Sequence, residues 1–218
     1  MLNVLALAVV IMFPFLFLSG CSGPFGDQRK EAEDVVTKAN GAIAEHNRLF
    51  DQARESYGKA RKQIEDGEKA ADQKDDIAKA RQTLQKASNS LRDAETRMEN
   101  VQEMDVDPVI QRYATLLSKA MDAQLSAEAS EIEFYGVMGK DPALTENRER
   151  ALKILSRASD DYEKAEDFYA KARELASSNP DVIKLPPATK GESNPESQES
   201  APDAPKDQSQ DSGSSSGK

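Results

Sequence analysis

One cysteine and one histidine carry most of the reactive side-chain chemistry of this 218-residue chain. A thiolate is a nucleophile able to hold a lipid through a thioether, so Cys21 is a candidate modification site. With no second cysteine, an internal disulfide is excluded. His46 is the only side chain whose ordinary titration falls near neutrality, yet a di-iron bundle would need two Glu-x-x-His motifs. It stands on an apolar repeat, where a polar side chain serves to fix register. The acidic pairs Asp160-Asp161 and Glu131 with Glu133, and the run Asp105 to Asp107, read as solvated faces and caps rather than acid/base pairs. There is no C-x-x-C, no Walker-type or G-x-G-x-x-G loop, and "DVDP" lacks the glycine and closing glutamate of an EF-hand. The expectation is a non-enzyme that needs no metal or dissociable cofactor.

The surroundings of Cys21 sharpen its chemistry. From Leu2 to Leu18 the chain carries no charge, and about 17 helical residues reach roughly 26 Å, the lower limit for a bilayer core. Pro14 weakens such a span, so the segment suits the apolar region of a secretory signal, followed by the small residues Ser19 and Gly20. Leu18-Ser19-Gly20-Cys21 resembles the lipobox of bacterial lipoprotein precursors. That resemblance implies cleavage between Gly20 and Cys21, a diacylglyceryl group on Cys21, and further acylation of the palmitate type. Two or more acyl chains give a stable anchor, which implies a protein tethered to the outer side of a membrane. Ser22 implies release from inner-membrane retention if the organism has two membranes, so an outer-membrane location stays open. One departure from the class is an opening without Lys or Arg, which leaves the true start codon open.

Composition then limits what is tethered. The formal net charge is −10 and no Asp, Glu, Lys, Arg or His precedes Asp27, so the surface field will not draw nucleic acid or anionic lipid. Charged residues make up 31% and aromatics 6%, and from Asp27 to Ser178 the chain is rich in helix formers and poor in Gly and Pro. Ala32, Val36, Ala39, Ile43, His46, Phe50, Ala53, Tyr57, Ala60, Ile64, Gly67 and Ala71 follow in alternating steps of four and three, the spacing of a supercoil seam. The alternation recurs from Ile77 to Val101, from Val109 to Val137 and from Leu144 to Ala176. In the first, second and fourth seams alanines alternate with large residues, so the helices should pack closely. Ile110, Leu117, Met121, Leu125, Ile132 and Met138 widen the third stripe and place that helix deepest.

The predicted fold is all-α: an antiparallel four-helix, coiled-coil-like bundle with a long first helix, flanked by a signal peptide and a disordered tail. The signal peptide covers residues 1–20 and the lipidated linker 21–26. The bundle covers 27–178, with helices over about 27–71, 76–103, 108–138 and 142–178. Asp107-Pro108 and Asp141-Pro142 each place a capping side chain before a proline at the first helical position; Gly139 suits the end of the third helix, and Asp75 or Asp76 the cap of the second. The first helix exceeds its neighbours, so its early turns are expected to overhang as a stalk, continuous through Gly41 or kinked there. Exposed seam on that overhang leaves a homodimer open. Residues 179–218 are Pro-, Ser- and acid-rich and bury too little to offset chain entropy.

Two further resemblances are slight. "DYEKAEDFYAKARELASSNPD" is similar to the second helix of a tetratricopeptide repeat, through Ala165, Tyr169 and Ala172, but no copy recurs 34 residues away. The whole layout resembles the cell-wall-binding helical lipoproteins of Gram-positive bacteria, which implies a tethered, non-catalytic envelope protein. The expected function is an interaction or spacer module for an envelope protein or cell-wall polymer. The alternative is a carrier that holds an apolar ligand between its helices, in a groove walled by Tyr57, Tyr113, Phe134, Tyr162 and Tyr169.

Overall fold

The computed structural model describes residues 26–183, all within one compact unit. The segment expected to be a signal peptide, Cys21 and the residues beyond Ile183 lie outside the described residues. Four long helices follow one another: α1 (Gly26–Glu65), α2 (Lys74–Glu103), α3 (Pro108–Lys140) and α4 (Arg148–Ser178), with a 3-10 turn at Ala70–Gln73 before α2. Among the described residues there is no strand, and no helix is long and apolar enough to cross a membrane.

The four-three repeats become the buried faces. Every member of the second seam, Ile77, Ala80, Leu84, Ala87, Leu91, Ala94, Met98 and Val101, is buried. On α1 the seam is buried from Ala32 to Ala60, with Tyr57 partly exposed. α3 buries sixteen residues against nine for α2 and eight for α4, so its broad stripe does place it deepest. On α4 Ile154 rather than Leu155 takes the core position. Each fully buried Leu or Ile contributes about 1.5–3 kcal/mol from apolar surface removed from water. The chain runs up, down, up, down: His46 and Arg54 meet Glu128 and Glu131 in the same order on α3, whereas Tyr162 and Tyr169 meet Glu131 and Gln124 in reverse order.

Cα atoms approach within 8 Å between α1 and α2, α2 and α3, and α3 and α4, but not between α1 and either α3 or α4. α1 is thus close-packed on α2 alone. Its other side meets the bundle through long side chains, and that spacing makes room for polar groups.

The helix ends depart from expectation in four places. α1 stops at Glu65, not at residue 71, because Gly67 adopts φ +94 and turns the chain. Its N–H bonds the carbonyl of Ile64 while that of Glu68 bonds the carbonyl of Gln63, satisfying helix-end acceptors. α2 starts without a side-chain cap; Asp75 and Asp76 lie in its first turn, where their charge complements the helix dipole. Asp107 caps α3 through the Val109 N–H at 2.8 Å, and α3 runs through Gly139 to Lys140. α4 begins at Arg148, not at Pro142. Asp141 instead gathers a loop, its carboxylate accepting from the N–H groups of Thr145, Glu146 and Asn147 and from both of the Thr145 and Asn147 side chains.

α1 is continuous through Gly41, but no stalk projects from it. Ala32 is 0% exposed, and the Gln28 side chain accepts a hydrogen bond from the Asp105 N–H, so the early turns are covered from within the chain. The overhanging seam on which a homodimer would have formed is absent from the described residues. Cover comes partly from residues 179–183, which were expected to belong to the tail. Val182 and Ile183 N–H groups bond the Asn179 carbonyl, and Ile183 packs in the same apolar cluster as Ala32, Val101 and Val106.

Candidate functional site

Midway along the bundle the apolar core is interrupted by a layer of polar side chains drawn from all four helices. His46 of α1 stands on the seam four residues before Phe50, its ring 5.5 Å from the phenyl ring. Its Nε2 lies 2.7 Å from Glu128 Oε1 and its Nδ1 2.9 Å from Asn47 Oδ1. Both ring nitrogens lie against oxygen acceptors, an arrangement that an imidazolium, with an N–H on each nitrogen, satisfies in full, and the Gln124 amide nitrogen lies 3.4 Å from Nε2. Glu128 of α3 is 0% exposed and His46 2%, so the contact is a buried ion pair whenever the ring is protonated. The second oxygen of Glu128 accepts from Ser88 Oγ of α2 at 2.6 Å. Gln124 Nε2 donates to Glu128 Oε1 at 3.0 Å, and the Gln124 carbonyl accepts from the Tyr169 hydroxyl of α4, also at 3.0 Å.

One turn farther on, a second polar layer repeats the arrangement. Arg54 of α1 lies over the Phe50 ring at 4.6 Å and donates to Glu131 Oε1 at 3.2 Å, while the Tyr162 hydroxyl donates to Glu131 Oε2 at 2.8 Å. Glu131 is therefore a paired, largely buried carboxylate and not the solvated group its acidic neighbourhood implied. Glu133 keeps the expected role, pairing with Arg150 and Arg157 on the surface. Asp161, also read as solvated, accepts from Ser126 and Lys164.

Electrostatics follow from this burial. Desolvation pushes His46 down, but the hydrogen bond and charge of Glu128, with Asn47 and Asp51, outweigh it, and its pKa is raised above the ordinary value. Desolvation raises Glu131, against the opposing pull of Arg54 and Tyr162. Burial pushes Tyr57 and Tyr113 up to about 12 and lifts Tyr135, Tyr162 and Tyr169 above their ordinary range. His46 and Glu128 are sealed among the helices, whereas Tyr57 is partly exposed. Among the described residues no three His, Cys, Asp or Glu side chains converge as metal ligands.

The five aromatic residues expected to wall one groove separate into different settings. Tyr57 and Phe134 meet edge to face at 5.6 Å and line an open, mainly apolar cleft of about 190 Å³ between the end of α1 and the start of α4. Arg61, Ile64, Met138, Leu144 and Leu152 complete much of its wall. Leu144 is held at φ 51 in the loop organised by Asp141, and Leu152 is the one large apolar side chain exposed among the described residues. Tyr162 and Tyr169 belong to the polar layers, and Tyr113 is buried in the other apolar cluster, with Ala114 and Leu117. The continuous five-residue groove is not formed.

Sequence reasoning found His46 but missed Glu128, Gln124 and Ser88. A signal was present for two of them. Ile110, Ala114, Leu117, Met121, Gln124, Glu128, Glu131, Tyr135 and Met138 also alternate in steps of four and three, a second column on α3 interrupted by the three polar side chains that build the layers. No family model, no curated protein and no solved structure matches the chain.

Proposed function

We propose that the chain is a lipid-anchored extracytoplasmic protein that acts as a non-catalytic interaction or spacer module for an envelope partner, a protein or a cell-wall polymer. The observation that carries this reading is the placement of its chemistry. The sequence Leu18-Ser19-Gly20-Cys21 provides an attachment point, while the polar residues of the core are sealed among the helices, with Glu128 0% exposed. Distance is what such a body supplies. α1 has 40 residues, or about 60 Å at 1.5 Å per residue. Ala32 and Ile183 share one end of the core, and the Gly67 turn, the Asp141 loop and the apolar cleft lie at the other, so an anchor at Cys21 would leave that far end as the surface offered to a partner.

Crosslinking in intact cells followed by membrane fractionation tests the proposal, with Cys21→Ala as control. Loss of both membrane association and partner recovery in that variant is the expected result. A Cys21→Ala protein that still pellets with membranes would overturn the lipid anchor. The cleft lined by Tyr57 and Phe134 favours a second reading, a carrier of a small apolar ligand. Incubation with envelope lipid extract would then raise the melting temperature, because a ligand that binds only the native state stabilises it.

A further inference from the structure

α1 is held on its two sides by different forces. Toward α2 its backbone comes close, with Cα pairs within 8 Å, whereas toward α3 no Cα pair does. That gap is bridged by His46 on Glu128, Arg54 on Glu131, and Tyr57 against Phe134 and Tyr135. Of these bridging groups on α1, only His46 changes charge near neutral pH. We propose that His46 is a proton-operated latch: as imidazolium it clamps α1 against α3, and as neutral imidazole it lets α1 loosen from α3 and α4 while remaining paired with α2.

The contact geometry gives the reason. An imidazolium satisfies the acceptors at both ring nitrogens, Glu128 and Asn47. A neutral ring has one N–H, so one acceptor faces a lone pair, and the buried Glu128 loses the cation in contact with it. Such loss of a buried partner is strongly destabilising. The groups around the ring reinforce the dependence on its charge. From α1, Asp51 favours the cation and Arg54 lies in the next layer against Glu131. α2 contributes the neutral Ser88 and, toward Tyr169, Glu95. From α3 come Gln124, Glu128 and Glu131; from α4 come Tyr162 and Tyr169, which burial keeps neutral.

The sign follows from linkage. His46 is raised in the fold, so its contribution is fully present below the ordinary value near 6.5 and is lost as pH rises through the folded value. Glu131, also raised, acts in the same direction over mildly acid pH, because the folded state favours its protonated form. Opening would widen a seam that already gapes at the cleft beside Tyr57 and Phe134.

His46 is the only histidine, so its ring Hε1 proton gives an unambiguous NMR signal in the full-length chain. The signal should titrate above 6.5. Over that same pH span, after correction for base-catalysed exchange, amides of α1 around residues 42–61 should lose more protection than those of α4. In Glu128→Gln the titration should move to lower pH and the selective loss in α1 should disappear. If that variant does not fold, the wild-type measurements still decide. A ring that titrates at or below its ordinary value, or not at all between pH 5 and 9, overturns the latch. So does parallel loss of protection in α1 and α4, or a Glu128→Gln protein that keeps the selective loss.

Discussion

His46 and Glu128 touch at 2.7 Å across two helices with no Cα pair within 8 Å, so a buried ion pair fills a gap that apolar side chains fill elsewhere in the bundle. Its contribution depends on completeness. Removing one partner leaves a buried charge unmatched, which costs about 3–5 kcal/mol, whereas replacing the whole pair by apolar residues of similar size is often neutral or stabilising. Glu128→Ala should therefore lower the stability read from urea denaturation by that amount. The double replacement His46→Leu with Glu128→Leu should recover most of it. Equal losses in the single and double variants would mean that packing, not charge matching, governs the layer.

Asp141 gives a pH dependence of the opposite sign. Backbone N–H groups of Glu146, Thr145 and Asn147 surround its carboxylate and hold it well below the ordinary range. A depressed carboxylate contributes stability that is present above its unfolded value near 3.9 and is lost as pH falls through the folded value. Denaturation between pH 5 and 2 should show this acid loss in the wild type and a smaller slope in Asp141→Asn. The loop should respond first, since Asp141 fixes residues 145–147 and with them the left-handed Leu144.

Two glycines of α1 and its exit predict effects of opposite sign. At Gly41 an added Cβ meets nothing within 4 Å and the residue is inside a helix, so Gly41→Ala should stabilise by about 0.5–1 kcal/mol. Gly67 also has open space, but its φ of +94 is unfavourable for a side-chain-bearing residue, so Gly67→Ala should destabilise by about 1 kcal/mol or more. Paired urea titrations check both, and a stabilising Gly67→Ala would remove the stated reason for the end of α1 at Glu65.

How far the sequence disclosed this structure depended on the kind of residue. Columns such as Ala80, Leu84, Ala87 and Leu91 were legible because hydrophobic spacing maps directly onto a helix face. Glu128 and Glu131 were not, since carboxylates usually lie at the surface and only the tertiary partners His46, Ser88, Arg54 and Tyr162 make their burial tolerable. Gly67 kept the phase of the seam and so hid the end of α1, a case where backbone conformation overrode periodicity. Pro142 was misleading for a related reason: a cap and a proline specify a local turn, and the five hydrogen bonds gathered by Asp141 extend that turn to Asn147, so that the helix begins six residues after Pro142.

The boundary after α4 offers the last test. Composition changes at Asn179, yet Ile183 is only 1% exposed and caps the cluster formed by Ala32, Val101 and Val106. Ile183→Ala removes a buried branched side chain and should cost about 2–5 kcal/mol through lost transfer free energy and the cavity left behind. Val182 is only partly buried, so Val182→Ala should cost distinctly less. Thermal melts of the two variants give the comparison. Equal, small shifts would show that residues 179–183 do not belong to the cooperative unit, whereas the larger loss at Ile183 would show that the first turns of α1 depend on the segment that follows α4.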